Sequence, residues 1–460
     1  MGRTVLHLVG YAATFMVFHL FLTRHVRPDD DWLFLRWVLL ALFAPSLLRY
    51  ALQLFVAPWY EPVMARRRRR RLRREPAPAR PRVSVIVPAW NEEVGIESTV
   101  KSILTSTYSD VEVVVVDDGS TDGTWERLCR LAQRCRRDEG RHLVLHRQDN
   151  AGKSRALNSG LLLASGEIIV TIDADCVVDP AALERIVQRF EDERVMSVAG
   201  NVKIGNRRSG IGLLQQLEYL YGFYFKKADS LLDSIYIVGG AAAAYRRSVF
   251  EELGGFDETI ITEDIEMSTR IQDAGMTIQY APDAVVWTEG ATDVTGLAKQ
   301  RLRWKFGRLT TFWRYRHLFF SLRPHHSRLL TLLVLPVALL CEVLLLLEVF
   351  LLVVLITYTF ATSDFLPLAL YVVLITAVIT LQVLTDPKRR ENLNLLLLAP
   401  GAWVTIYLVD AVELQALVRS LWRFSRGQGL QWQRWQRTGV FTAVPRRALP
   451  EDEVSLTGPR

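Results

Sequence analysis

Five stretches of this chain are apolar and long enough to cross a hydrocarbon core, which takes about 20 residues of helix. They are residues 5–22, 32–56, 329–360, 366–384 and 394–417. A soluble fold has no use for five such helices, so the sequence reads as a multi-pass integral membrane protein. The first stretch also suits a cleaved leader. It lacks a small-residue cleavage site before the polar residues 23–31, and a second stretch follows it, so a retained span is the expectation.

Charge sets the orientation. Lys and Arg number 56 against 49 Asp and Glu, a net +7. Eight of the arginines lie within residues 66–74, and without them the balance is 7 − 8 = −1. The basicity is thus one local tract beside a span, which fits an anchor on anionic lipid and excludes a basic nucleic-acid-binding face. Short flanking loops rich in Arg stay cytoplasmic. The N-terminus and everything from 81 to 323 are therefore expected in the cytoplasm, as is the loop holding Lys388, Arg389 and Arg390. The last stretch breaks the rule. One crossing would put Arg419, Arg423, Arg426, Arg434 and Arg437 outside, unless Pro400-Gly401 breaks the segment. Cys129, Cys135, Cys176 and Cys341 have no C-x-x-C spacing, and the eight histidines form no metal-ligand pair on a helix. Neither a disulfide framework nor a zinc site is expected, and a reducing compartment fits.

Between the apolar stretches, β-branched runs alternate with helical patterns. Strands are expected at 83–87, 111–116, 143–146 and 167–172. Helices are expected after Pro88 through Leu104, at 122–136 and 154–164, and from Pro180. Such alternation implies an α/β domain with a mainly parallel sheet, and ligands bind beyond the carboxyl ends of its strands. Trp90, Asp117-Asp118 and Asp173/Asp175 fall there.

Several of these residues carry chemistry. Asp173 and Asp175 sit two apart at the end of an extended run, which aims both carboxylates at one side. Mg²⁺ or Mn²⁺ completed by phosphate oxygens satisfies such a pair; a solvated Asp turn is the plainer reading. Trp90 offers a flat face to a base, against simple core packing. Lys153 follows Asn150-Ala151-Gly152 and opens a helix, where it can neutralise a diphosphate; G-x-x-x-x-G-K is absent, so this is no P-loop. Thr262-Glu263-Asp264 opens a helix over 265–273. Thr262 is a cap candidate, and one of the two acids a candidate general base. Gln300, Arg303 and Trp304 share one helix face, suited to a leaving diphosphate and a sugar ring. A separate amphipathic helix at 304–320 is expected in the membrane interface.

The ordered set VSVIVPAWNEE, VVDDGSTDGT, NAGKSRALNSG, DAD, TED and QRLRW resembles the family 2 glycosyltransferases. Among them it is similar to the processive membrane synthases of poly-β-1,6-N-acetylglucosamine, cellulose, hyaluronan and chitin. The resemblance covers about residues 82–320. It implies a GT-A (Rossmann-like) domain, a UDP-sugar donor, a divalent cation (Mg²⁺ or Mn²⁺) and inversion at the anomeric carbon. By motif, Pro88, Trp90, Glu92, Asp117, Asp118, Lys153 and Asp173 would bind the nucleotide sugar. Asp173 and Asp175 would hold the metal. Asp264, with Glu263 beside it, would be catalytic. Gly239, Gly240, Gln300, Arg303 and Trp304 would line the acceptor and diphosphate site. The loop at 238–241 lacks the cysteine found in cellulose synthases. UDP-GlcNAc is the expected donor, and a growing β-linked polysaccharide exported across the cell membrane the expected product. A hyaluronan, chitin or cellulose product, a single transfer to a lipid acceptor, and a non-catalytic scaffold or exporter are the alternatives. The expected partners are donor, polymer, membrane lipid and a small membrane subunit, with no nucleic acid. The expected layout is 1–60 two spans, 61–81 basic linker, 82–302 GT-A domain, 303–325 interface helices, 326–424 further spans and 425–460 tail.

Overall fold

The computed structural model describes residues 30–73, 80–135, 142–207, 209–363, 365–430 and 439–440. The first expected span (5–22), Arg74, Arg434, Arg437 and most of the tail lie outside them. The chain divides into two compact units. One contains Met1–Arg74, Leu220–Ile235 and Trp313–Gln428, the other Glu75–Tyr219, Tyr236–Phe312 and Gly429–Arg460. The second unit is thus assembled from three separate pieces of chain, where the sequence suggests one uninterrupted domain.

In chain order the helices are α1 (Asp30–Val56), α2 (Tyr60–Leu72), α3 (Ile96–Leu104), α4 (Thr124–Cys135), α5 (Lys153–Leu163), α6 (Ala182–Phe190), α7 (Gly210–Leu231), α8 (Arg247–Leu253), α9 (Glu263–Asp273), α10 (Val294–Arg314), α11 (Leu335–Thr362), α12 (Leu366–Thr385) and α13 (Ala402–Ser425). The strands are β1 (Val83–Ala89), β2 (Val111–Asp118), β3 (His142–Gln148), β4 (Ile168–Thr171), β5 (Val177–Val178), β6 (Val195–Ile204), β7 (Ala243–Arg246) and β8 (Thr277–Thr288).

The strands form one sheet in the second unit, ordered β3-β2-β1-β4-β7-β6-β8-β5. Its first four strands are parallel. VSVIVPA and VEVVVVDD are buried along their whole lengths, as continuous β-branched runs must be when both faces are covered. From β7 onward the sheet is mixed, because β7 is antiparallel to both β4 and β6, and β5 to β8. The expected mainly parallel sheet is corrected to that extent. β7 is Ala-Ala-Tyr-Arg at the end of an alanine run, a sequence with little strand preference of its own. At the edge where the strands begin, the buried Glu112 accepts hydrogen bonds from Ser84 and Ser165. α6 buries Ala182, Leu183, Ile186 and Phe190, one stripe at helical spacing.

Two other expectations are corrected. There is no separate interface helix at 304–320. α10 already starts at Val294, carries Gln300–Trp304 in its middle and ends at Arg314, with a 3-10 turn over Arg316–Leu318. Thr262 precedes α9 but makes no capping bond. Gly307 of α10 packs on it so closely that a Cβ there would lie 2.0 Å from Thr262 Oγ1.

In the first unit, α1 continues through a 3-10 turn at Ala57–Trp59 into α2, so Arg66–Arg71 are helical. Gln53 donates to Asp229 at 2.8 Å, and Tyr50, Tyr221 and Phe225 pack edge to face. Leu330–Glu348 (mean hydropathy 2.7) and Leu395–Ser425 (1.8) are long and apolar enough to cross a membrane. At Pro400-Gly401, where the sequence left a break open, the chain takes a 3-10 turn, Ala399–Gly401, leading into α13.

Candidate functional site

The ends of β1 and β2 are tied together by a residue the sequence reading passed over. Asn91 sits at φ 55, in the left-handed region that Asn tolerates. Its N–H donates to Ser120 Oγ (2.8 Å), and its side-chain carbonyl accepts the N–H groups of Thr121 (2.7 Å) and Asp122 (3.3 Å). Its position directly after a strand, beside Trp90, was the available signal. Glu92 donates its N–H to Thr124 Oγ1 at 2.8 Å. Trp90 is half-buried just beyond β1, whereas Pro88 lies inside that strand, opposite Val116.

The two acids ending β2 have different surroundings. Asp117 is fully buried and pairs with Arg147 Nε at 3.1 Å. Burial pushes its carboxyl up, against the pull of Ser120 and Arg147. Asp118 is 3% exposed. It accepts hydrogen bonds from Gln148 Nε2 (2.8 Å), Ala151 N–H (3.0 Å) and Gly152 N–H (2.8 Å).

Next comes the centre of the site. Lys153 opens α5, and its Nζ lies 2.7 Å from both Asp173 Oδ1 and Glu263 Oε1. Burial alone would lower the Lys153 pKa, but Asp173, then Glu263 and Asp264, outweigh it and hold the ammonium charged. Burial raises the Glu263 carboxyl, while Lys153 opposes the rise. Asp264 turns the other way. Its Oδ2 accepts the Gly240 N–H at 2.8 Å, and its Oδ1 the Ile265 N–H at 2.9 Å. Gly239 takes φ 95 to bring that N–H round. Residues from just beyond β4, the start of α5, the 239–240 turn and the start of α9 thus converge within contact of one another.

Asp173 and Asp175 have different partners. The strand ends at Thr171, and the chain turns, with Cys176 N–H donating to Asp173 O at 3.1 Å. Strand alternation therefore does not apply. Asp173 goes to Lys153, while Asp175 accepts the Thr288 hydroxyl at 3.2 Å. Among the described residues, no three His, Cys, Asp or Glu side chains are grouped to hold a metal by themselves.

α10 approaches this corner through Gly307 against Thr262. Within it Gln300 is buried, with no hydrogen-bond partner for Oε1, and Arg303 and Trp304 are half-buried. Arg301 was also missed. Its guanidinium lies 4.4 Å from the Trp304 ring centroid, and it is ion-paired with Glu218.

Residues 84–254 match the family model described as glycosyl transferase family 2. They form a family 2 glycosyl transferase domain. Two curated relatives, the poly-β-1,6-N-acetyl-D-glucosamine synthases of Staphylococcus aureus (strain COL) and Staphylococcus epidermidis, are each 31% identical over 228 residues. The match takes in 49% of this chain and 54% of each relative, so the chain spans about half the length of the curated relatives it matches. Among solved structures, a mannosyltransferase from Pyrobaculum calidifontis in complex with GDP-Man and Mn2+ superposes with a TM-score of 0.50 at 25% identity. That superposition covers 83% of this chain and 98% of the neighbour. The family 2 domain has a GT-A-like α/β fold, here with the mixed sheet described above.

Proposed function

We propose that this chain transfers a sugar from a UDP-sugar, UDP-GlcNAc first, to a growing β-linked polysaccharide with inversion at the anomeric carbon. The observation that carries the proposal is the convergence of Lys153, Asp173, Glu263, Asp264 and the Gly240 N–H at one corner of a family 2 domain. Asp264 is the proton acceptor. Its carboxylate is oriented by two N–H groups, and it takes the proton of the attacking acceptor hydroxyl. Lys153 supplies a positive charge for the diphosphate, and Asp117 and Trp90 bind the nucleoside end. Gln300, Arg303 and Trp304 serve the acceptor and the departing diphosphate. No second nucleophile is needed, so a single displacement inverts the centre.

Mg²⁺ or Mn²⁺ fits this donor set. The ligands are hard carboxylate oxygens, and Asp173 already takes a cationic group, the Lys153 ammonium, at 2.7 Å. Asp173, with Asp175, would hold the ion together with donor phosphates, and the bound ion supplies charge neutralisation of the leaving diphosphate. The apolar helices support a multi-pass location in the cell membrane, with the family 2 domain in the cytoplasm and the product passing out across the bilayer. A sugar chain cannot cross lipid unaided, since its hydroxyls would lose water without replacement.

The test is purified protein in lipid supplied with radiolabelled UDP-GlcNAc, UDP-Glc, UDP-GlcA and GDP-Man in turn, followed by linkage analysis. A polymer ladder from UDP-GlcNAc is expected, and no incorporation from any donor would sink the reading. A second reading is single transfer from a GDP-sugar, favoured by the mannosyltransferase neighbour, 98% of which is covered. It predicts one sugar per acceptor, from GDP-Man.

A further inference from the structure

We propose that Arg301, anchored by Glu218, is a positioning residue that holds the Trp304 ring for the acceptor sugar. This rests on the acceptor role given to Trp304 above. The Arg301 side chain is 1% exposed, and a buried cation needs a paired charge. Glu218 of α7 supplies that charge in an ion pair. The guanidinium lies over the Trp304 ring, 4.4 Å from its centroid. Arg301 and Trp304 stand about one turn apart on α10, at the i, i+3 spacing that makes side chains neighbours. All three residues belong to the second unit.

The support is itself anchored. From β8 the chain runs through residues 290–291 into α10, and that link is clasped twice. Asn206 accepts the Gly290 N–H and donates to the Gly290 carbonyl, both at 2.8 Å. Gln215 accepts the Ala291 N–H at 3.0 Å and donates to the Ala291 carbonyl at 2.8 Å. Asp293 then caps α10 by accepting the Gly296 N–H at 2.7 Å. Gln215 and Glu218 are i and i+3 on α7, so one face of that helix fixes both the entry to α10 and the charge beside Arg301. A cation over one face of an indole attracts the ring and resists its rotation. Trp304 is half-buried, and the face turned away from Arg301 is the one offered to a sugar. A ring already held in place loses less freedom when a sugar stacks on it, which strengthens binding. Arginine suits this place because a planar guanidinium can lie on the ring while its N–H groups reach a carboxylate; a lysine ammonium has no such plane. Arg303, two positions on, falls on another face of α10, so its role at the diphosphate is a separate one.

The experiment is initial-rate kinetics of the full chain in lipid. Radiolabelled UDP-GlcNAc is the donor and a β-1,6-linked N-acetylglucosamine pentasaccharide the acceptor, each varied at saturating levels of the other. Arg301→Lys keeps the charge for Glu218 and removes the planar stack. The pentasaccharide KM is expected to rise about three- to tenfold, as for loss of one cation–π support, while the UDP-GlcNAc KM and kcat stay within about twofold. Glu218→Gln leaves the guanidinium without its counter-charge. It is expected to show the same acceptor-selective rise at smaller size, and it serves if Arg301→Lys does not fold. A merely structural role would lower the melting temperature and move both KM values alike. An unchanged pentasaccharide KM, or equal rises for donor and acceptor, overturns the inference while leaving the transfer reading intact. Wild-type protein that binds UDP but does not elongate the pentasaccharide removes the acceptor reading, and this inference with it.

Discussion

Glu263 and Asp264 are neighbours, yet one is buried against a lysine and the other is held by backbone N–H groups. Asp264→Asn keeps the shape but cannot take a proton. Turnover is expected to fall by about 10²–10⁴-fold, with donor affinity unchanged by calorimetry; full activity would reassign the base. Asp173→Ala is expected to abolish the difference between donor titrations with and without Mn²⁺, and a persisting difference would place the cation elsewhere. Away from the site, burial pushes the Glu112 carboxyl up, but hydrogen bonds from Ser84 and Ser165 and the charge of Arg82 outweigh it and hold it below the usual glutamate value. A lowered folded-state value means that the stabilisation is present above the ordinary pKa and is lost as pH falls through the lower one. The melting gap between wild type and Glu112→Gln should therefore be widest near neutrality and close on acidification below about pH 4.5. Trp90, the acids after β2 and β4, and Lys153 were legible in the sequence because each stands at or soon after the end of a strand. Their directions were not. The turn after Thr171, which gives Asp173 and Asp175 different partners, is held by long-range contacts such as the Asp175–Thr288 hydrogen bond, between residues 113 apart in sequence.

The packing of α10 on α9 depends on one missing side chain. Gly307→Ala would place a methyl group 2.0 Å from Thr262 Oγ1 and 2.4 Å from its Cγ2, at the mouth of the helix that presents Asp264. A destabilisation of about 1–3 kcal/mol is expected, with part of it recovered by Thr262→Ala, as read from thermal melts. A variant as stable as wild type would mean that the two helices separate at no cost. Elements with an unambiguous pattern were readable in advance. β1 and β2 are apolar β-branched runs, and the expected strands stop within two residues of the observed ends. β7 was unreadable because its alanines take any conformation, and it is a strand only because β4 and β6 flank it. α10 was misdivided because its aromatic and basic residues suggested a new helix, although nothing in the sequence interrupts the turn before Trp304.

At the scale of the molecule, the apolar helices make a physical claim about location. If Leu330–Glu348 and Leu395–Ser425 cross a bilayer, the protein should stay with membranes through an alkaline carbonate wash, and recovery in the supernatant would refute the placement. The second unit draws on three pieces of chain, and the last of them reaches into its interior. Val440 packs with Val177, Val285 and Trp287, and a Cβ on Gly205 would lie 2.3 Å from it. Synthesis on the ribosome runs in one direction. The hydrophobic nucleus around Trp287 therefore waits, unfinished, while more than a hundred further residues are translated, including every apolar helix from 330 to 425. A nascent chain arrested before residue 439 should carry that nucleus open and protease-sensitive, and release of the final segment is the event that closes it.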